Sequence, residues 1–75
     1  MEKRSFSLSG HRTSVALEPE FWLALEEIAS TRGRTLSGLV TEIDSTRETG
    51  NLASAIRLAI LAHYRAKSSD SIDPA

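Results

Sequence analysis

At 75 residues the chain has room for one domain, and a domain this small buries only about 60% of the surface that its unfolded form exposes. It contains no cysteine and no Cys/His cluster, which excludes disulfides and argues against a structural metal, so oligomerisation is the expected route to extra stability. Nine Lys and Arg against 10 acidic residues give a net charge of -1, so the chain as a whole is not polybasic. The charges are nevertheless polarised. Up to Leu17 they are Lys3, Arg4 and Arg12 against Glu2, whereas Glu18 to Thr31 carries only Glu18, Glu20, Glu26 and Glu27.

The first residues alternate in "RSFSLSGH", with Phe6 and Leu8 at even positions. A second alternating run, "RTSVAL", places Thr13, Val15 and Leu17 at odd positions and predicts a strand over 11–17. In one straight strand these two sets would point to opposite faces, so Ser9-Gly10 marks a bulge, a turn or a strand break. Residues 1–10 are accordingly read as an arm or accessory strand.

Glu18-Pro19-Glu20 then switches the pattern to helical, because Pro suits the first turn and an acid favours the positive end of the helix dipole. Phe21, Leu25, Ile28 and Ala29 share one helical face, which predicts a first helix over 19–31, with Trp22 widening its apolar stripe. The preferred reading of Trp22 is packing; a ligand-stacking role is the alternative. Gly33 can close that helix and Thr35 can cap the next, whose face of Leu36, Leu39, Val40 and Ile43 predicts a second helix over 36–47. Gly50 stops it. Asn51 caps a third helix over 51–66, with a stripe of Leu52, Ala55, Ile56, Ala59, Ile60 and His63. Residues 67–75 are polar and aperiodic and are expected to form a disordered tail.

No other clear β-run follows residue 20, so the strand over 11–17 is expected to pair with the same strand of a second copy. Two-fold symmetry makes such a pair antiparallel and self-complementary. The dimer core would then hold Thr13, Val15 and Leu17 from the strand, with Phe21, Trp22, Leu25, Ile28, Leu36, Leu39, Val40 and Ile43 from the helices. Arg12, Ser14 and Ala16 would face outward. The fold class predicted is mainly α, with one ribbon strand per chain and an intertwined homodimer.

Catalysis finds little support. The two histidines, His11 and His63, have no metal-ligand spacing around them, and His63 suits a helix end. No serine lies in a nucleophile elbow, and no phosphate or dinucleotide loop occurs, so neither an enzyme nor a cofactor is expected. There is no apolar core for a signal peptide and no run near the roughly 20 apolar residues of a membrane span, so the expected compartment is the cytoplasm.

The strand, the "EPEFW" that opens the first helix and "RGRTLSGLVTEI" together resemble the ribbon-helix-helix family that includes the Arc, methionine and CopG-type repressors. The resemblance covers about residues 11–47 and is most specific at Gly33-Arg34-Thr35-Leu36-Ser37. With "KRSFSLSGHRTSVALE" and "NLASAIRLAIL" the chain is also similar to a small bacterial branch that carries a third helix. The resemblance implies a dimeric regulator, most naturally a repressor, whose ribbon enters the major groove of double-stranded DNA. Arg12, Ser14 and Ala16 would read bases; Ala16 departs from the family's usual polar residue and offers only a methyl. The start of the second helix would hold a phosphate through the Leu36 and Ser37 amides, with Arg34, Thr35 and the Ser37 hydroxyl close by. Lys3, Arg4 and His11 would add backbone contacts. Two alternatives remain open: an antitoxin-like dimer with a protein partner on its third helix, and an interaction module that no longer reads DNA.

Overall fold

The computed structural model describes residues 1–48 and 50–71, the last three by their backbone alone. Two strands, β1 (Glu2–Leu8) and β2 (His11–Leu17), precede three helices, α1 (Pro19–Thr31), α2 (Leu36–Thr46) and α3 (Leu52–Ser71). The chain is mainly helical.

The strand over 11–17 has its partner in its own chain. β1 and β2 form an antiparallel hairpin in which Leu8 lies opposite His11, Phe6 opposite Thr13 and Arg4 opposite Val15. This corrects the expectation that the strand's first partner is a second copy. The two-residue connection explains it: Ser9 at φ 52° and Gly10 at φ 81° both occupy positive φ, the feature that lets a two-residue turn match the right-handed twist of its strands. In this register every even residue of β1 opposes an odd residue of β2. Opposed residues share a face, so the reversed parity of Phe6/Leu8 and Val15/Leu17 puts all four on one side.

That side packs on the helices. Leu8, Val15 and Leu17 join Trp22, Leu25 and Ile28 of α1, Leu39, Val40 and Ile43 of α2, and Ala55, Ile56 and Ile60 of α3 in one core. Trp22, Leu17, Leu25, Leu39, Val40 and Ile56 are almost wholly buried, each large side chain contributing about 1.5–3 kcal/mol relative to exposure. Of the residues assigned to a dimer core, eight are buried within the single chain, while Thr13, Phe21 and Leu36 are half-buried. β1 and α3 supply the cover that was expected from a second copy.

Local signals account for the helix ends. Gly33, at φ 65°, closes α1, with its amide bonded to the Ser30 carbonyl at 3.1 Å and the Arg34 amide bonded to that of Ala29 at 2.8 Å. The Thr35 hydroxyl caps α2 by accepting from the Gly38 amide at 2.9 Å, and Asn51 Oδ1 caps α3 by accepting from Ser54 at 3.0 Å. α3 continues beyond its apolar stripe: residues 67–71, expected to begin a disordered tail, extend the helix, and 72–75 lie outside the described residues. Once a helix is nucleated, each added residue costs little, so a polar segment without Gly or Pro carries it on. His63 therefore sits inside α3 rather than at its end.

An ion pair and a ring contact tie α3 to the start of α1. Arg57 of α3 donates to Glu18 Oε1 at 2.9 Å and stacks 5.6 Å from the Phe21 ring centroid. The Arg57 hydrogen bond, helped by the residue's own backbone, holds the Glu18 carboxyl below the usual range. Further along α3, desolvation first, then the charge of Glu27, push the Tyr64 phenol above its ordinary value.

Candidate nucleic-acid interface

The hairpin has two chemically distinct faces. Its helix-facing side carries Glu2, Arg4, Phe6 and Leu8 from β1 with Thr13, Val15 and Leu17 from β2. The outer side carries Lys3, Ser5 and Ser7 opposite Ala16, Ser14 and Arg12 respectively. All of these outer residues are exposed except Ala16, which is half-buried. The outer face thus has two cations, three serines, one alanine and no carboxylate. The Ser5 and Ser14 hydroxyls lie 3.2 Å apart across the strands.

The acids at the entry of α1 and along it lie elsewhere. Glu18 is engaged by Arg57, and Glu26 by Arg4 at 3.3 Å. A chain of net charge -1 therefore presents one sheet face of purely positive charge. With only small side chains beside them, Arg12 and Lys3 are both exposed to a polyanion that approaches this face.

Arg4 differs from its neighbour Lys3. It lies on the helix-facing side, 4.7 Å above the centroid of the Trp22 ring, with Glu2 and Glu26 as ion partners. Those contacts, Glu2 foremost, hold its guanidinium more firmly charged than usual. Arg4 is thus committed to the core edge, which corrects its grouping with Lys3 as an outward-reaching cation. His11 also falls on the helix-side parity, exposed beside the turn. Trp22, one option for which was ligand stacking, is 1% exposed and donates its Nε1 proton to the Glu2 carbonyl at 2.8 Å.

The ladder alternation decides what the outer edge of β2 offers. A two-residue hairpin is closed by a pair that exchanges both backbone bonds, here Leu8 and His11, so Thr13, Val15 and Leu17 also bond toward β1. The peptide groups of Arg12, Ser14 and Ala16 consequently point to the free edge. Along that edge runs an open groove of about 440 Å³, bounded by Thr13 to Ala16 on one side and by Asp44, Arg47, Asn51 and Leu52 on the other. Such an edge is a template for another extended segment.

The start of α2 is a separate feature. Its first amides, Leu36 and Ser37, have no acceptor within the helix, while Thr35 is occupied by its cap bond to Gly38. Gly38 has a purpose here, since a Cβ at that position would come within 3.0 Å of Thr35 Oγ1. Arg34 sits beside this terminus but donates to Glu42 at 2.8 Å, and Arg32 lies 3.8 Å from the same carboxylate. Arg32 in turn meets His63 Nδ1 at 3.4 Å. The structure thus separates the predicted residues into an outer sheet face with Lys3, Arg12, Ser14 and Ala16, and an α2 terminus with Arg34 to Ser37.

Ser5 and Ser7 were missed from sequence, as was Arg32. The signal for the two serines was present in the opposite parity of the alternating runs on either side of a two-residue Ser-Gly link, which is the arithmetic of a hairpin. Among the described residues, no group of His, Cys, Asp and Glu is arranged to hold a metal, and no helix is long and apolar enough to cross a membrane.

A family model described as a ribbon-helix-helix domain matches residues 1–64, and the chain belongs to that family. Its members are in general DNA-binding transcription regulators or antitoxins. No curated protein and no solved structure matches the chain.

Proposed function

We propose that this ribbon-helix-helix protein is a homodimeric, sequence-specific DNA-binding regulator, most simply a repressor. The observation that carries the reading is the carboxylate-free outer face of the hairpin, bordered by a β2 edge that no other strand among the described residues pairs with. Two copies joined edge to edge along β2, with the two-fold axis at Ser14, set Arg12 of one copy opposite Ala16 of the other. The result is a four-stranded sheet in the order β1-β2-β2-β1, with the helices on one face and the basic grid on the other.

In this dimer the two β2 strands are the reading element. Arg12 is suited to a bidentate contact with guanine, Ser14 donates or accepts, and Ala16 contacts a thymine methyl or simply permits close approach. The Leu36 and Ser37 amides, which have no acceptor within the helix, with Arg34 and the Ser37 hydroxyl beside them, serve phosphate contacts that fix register. Neither role requires a cofactor, and the chain is read as a binding protein rather than an enzyme.

The test is fluorescence anisotropy against duplexes tiled from the DNA upstream of its own gene and against a mixed-sequence duplex, at two salt concentrations. Preferential, salt-sensitive binding that Arg12→Ala weakens supports the reading. A folded dimer that binds neither duplex at low salt rejects it for that DNA.

The exposed Leu58 and Leu61 on α3 favour a second reading, an antitoxin-like dimer whose third helix holds a protein partner. Co-purification of a neighbouring gene's product, lost in Leu58→Glu with Leu61→Glu, distinguishes it.

A further inference from the structure

We infer that β1 is a backbone rail: in the dimer its outer residues Lys3, Ser5 and Ser7 hold the sugar-phosphate rims of the duplex while only the two β2 strands enter the groove. This rests on the dimeric DNA-binding reading above and goes beyond it by assigning a ligand class to a strand that a two-stranded ribbon does not have.

The argument is one of width. Neighbouring strands lie about 4.8 Å apart, so three spacings put the two β1 strands about 14 Å from each other. The major groove is about 12 Å wide and admits a two-stranded ribbon. β1 is therefore too far from the two-fold axis to reach base edges and lies over the groove walls, where phosphates are.

Its chemistry fits that place. Every side chain on the outer face of β1 is a hydrogen-bond donor, one of them cationic, and none is acidic. The base-facing positions of β2 differ, holding the planar fork of Arg12, a single hydroxyl and the methyl of Ala16. Each row across the dimer pairs these functions. Lys3 stands beside Ala16, whose small side chain leaves the lysine free to lean, and Ser7 stands beside Arg12. The middle row is four serines, with Ser5 and Ser14 already 3.2 Å apart within each chain.

Contacts to phosphate carry no sequence information, so the test uses the mixed-sequence duplex as well as the upstream one. Lys3→Gln is expected to weaken both equally and to lower the salt slope by about two, one for each copy's lysine. Ser5→Ala with Ser7→Ala is expected to weaken both by roughly threefold to tenfold with the preference between them unchanged. Arg12→Ala, in contrast, erodes the preference. If Lys3→Gln and the serine pair bind like wild type while Arg12→Ala fails, the rail is wrong and the DNA-binding reading stands. If they change the preference between duplexes, β1 reads bases and the rail is wrong. If wild type binds neither duplex, both fail together. Lys3→Gln, at an exposed strand position, gives the answer by itself should the double serine variant not fold.

Discussion

The indole of Trp22 donates its proton to the backbone carbonyl of Glu2 at 2.8 Å, joining the first turn of α1 to the start of β1, 20 residues earlier. Arg4 covers the same ring at 4.7 Å and Phe6 lies 5.9 Å from it, so one buried side chain seats the Glu2 to Phe6 part of the inner face of β1. Trp22→Phe keeps an aromatic ring in the core and deletes the donor. The expected loss is about 2 kcal/mol, from the hydrogen bond and the unfilled volume together. It should be accompanied by faster amide exchange in β1 than in α1. Urea denaturation and hydrogen exchange measure both, and unchanged protection in β1 would refute the anchoring role.

The turn gives an independent handle on the hairpin. Because Ser9 adopts φ 52°, Ser9→Asn should stabilise the protein by a few tenths to about 1 kcal/mol, since Asn tolerates that region better. Gly10→Ala meets open space but must hold φ 81°, and is expected to destabilise by about 1 kcal/mol. Thermal melts of the two variants should move in opposite directions.

Dimerisation through β2 predicts the effect of Ser14→Pro. The Ser14 amide points to the free edge, so proline there removes a bond to a second copy and leaves the β1–β2 ladder intact. Sedimentation should show a dimer for wild type and a monomer for Ser14→Pro, with matching circular dichroism. A variant that stays dimeric would place the interface elsewhere.

The Glu18 and Arg57 pair sets part of the acid limb of stability. Glu18's folded pKa is lowered, chiefly by the Arg57 hydrogen bond, so its contribution is present above the unfolded carboxylate pKa and is lost as pH falls through the folded one. Arg57→Gln should therefore lower stability at neutral pH and flatten the decline toward acid. Urea midpoints followed from neutral to acid pH test this, and parallel curves for variant and wild type would count against it.

Tyr64, the single tyrosine, reports the other end of the α1–α3 contact. Desolvation and Glu27 raise its folded pKa, so its contribution persists below the unfolded phenol pKa and is lost as pH rises through the folded value. Phenolate absorbance should titrate above the ordinary range, and Glu27→Gln should bring it down. An ordinary titration in the folded wild type would contradict the placement.

Much of this architecture is legible in the sequence. Pro19 and Gly33 bracket α1, Thr35 starts α2 and Asn51 starts α3, because caps and helical periodicity act within a few residues of where they are written. The same holds for the faces of β2: period two alone puts Arg12, Ser14 and Ala16 opposite Val15 and Leu17. The ribbon-helix-helix family was also legible there, in the strand, "EPEFW" and the Gly33 to Ser37 turn.

What supplies the neighbour of β2 was decided by the tertiary structure. A ladder bond is identical whichever strand provides it, so the alternation of β2 alone specifies a face and not a partner, and the reversed parity across Ser9-Gly10 permits a hairpin without requiring one. The choice fell to Ser9 and Gly10, whose positive φ values fold β1 back, and to Trp22, which holds β1 there. That choice parts Lys3 from Arg4, since adjacent residues of a strand take opposite faces and only one face is open. It also fills the core from within the chain, through Leu8 of β1 and Ala55, Ile56 and Ile60 of α3. These long-range contacts depend on where separate elements meet in space, which no local pattern encodes.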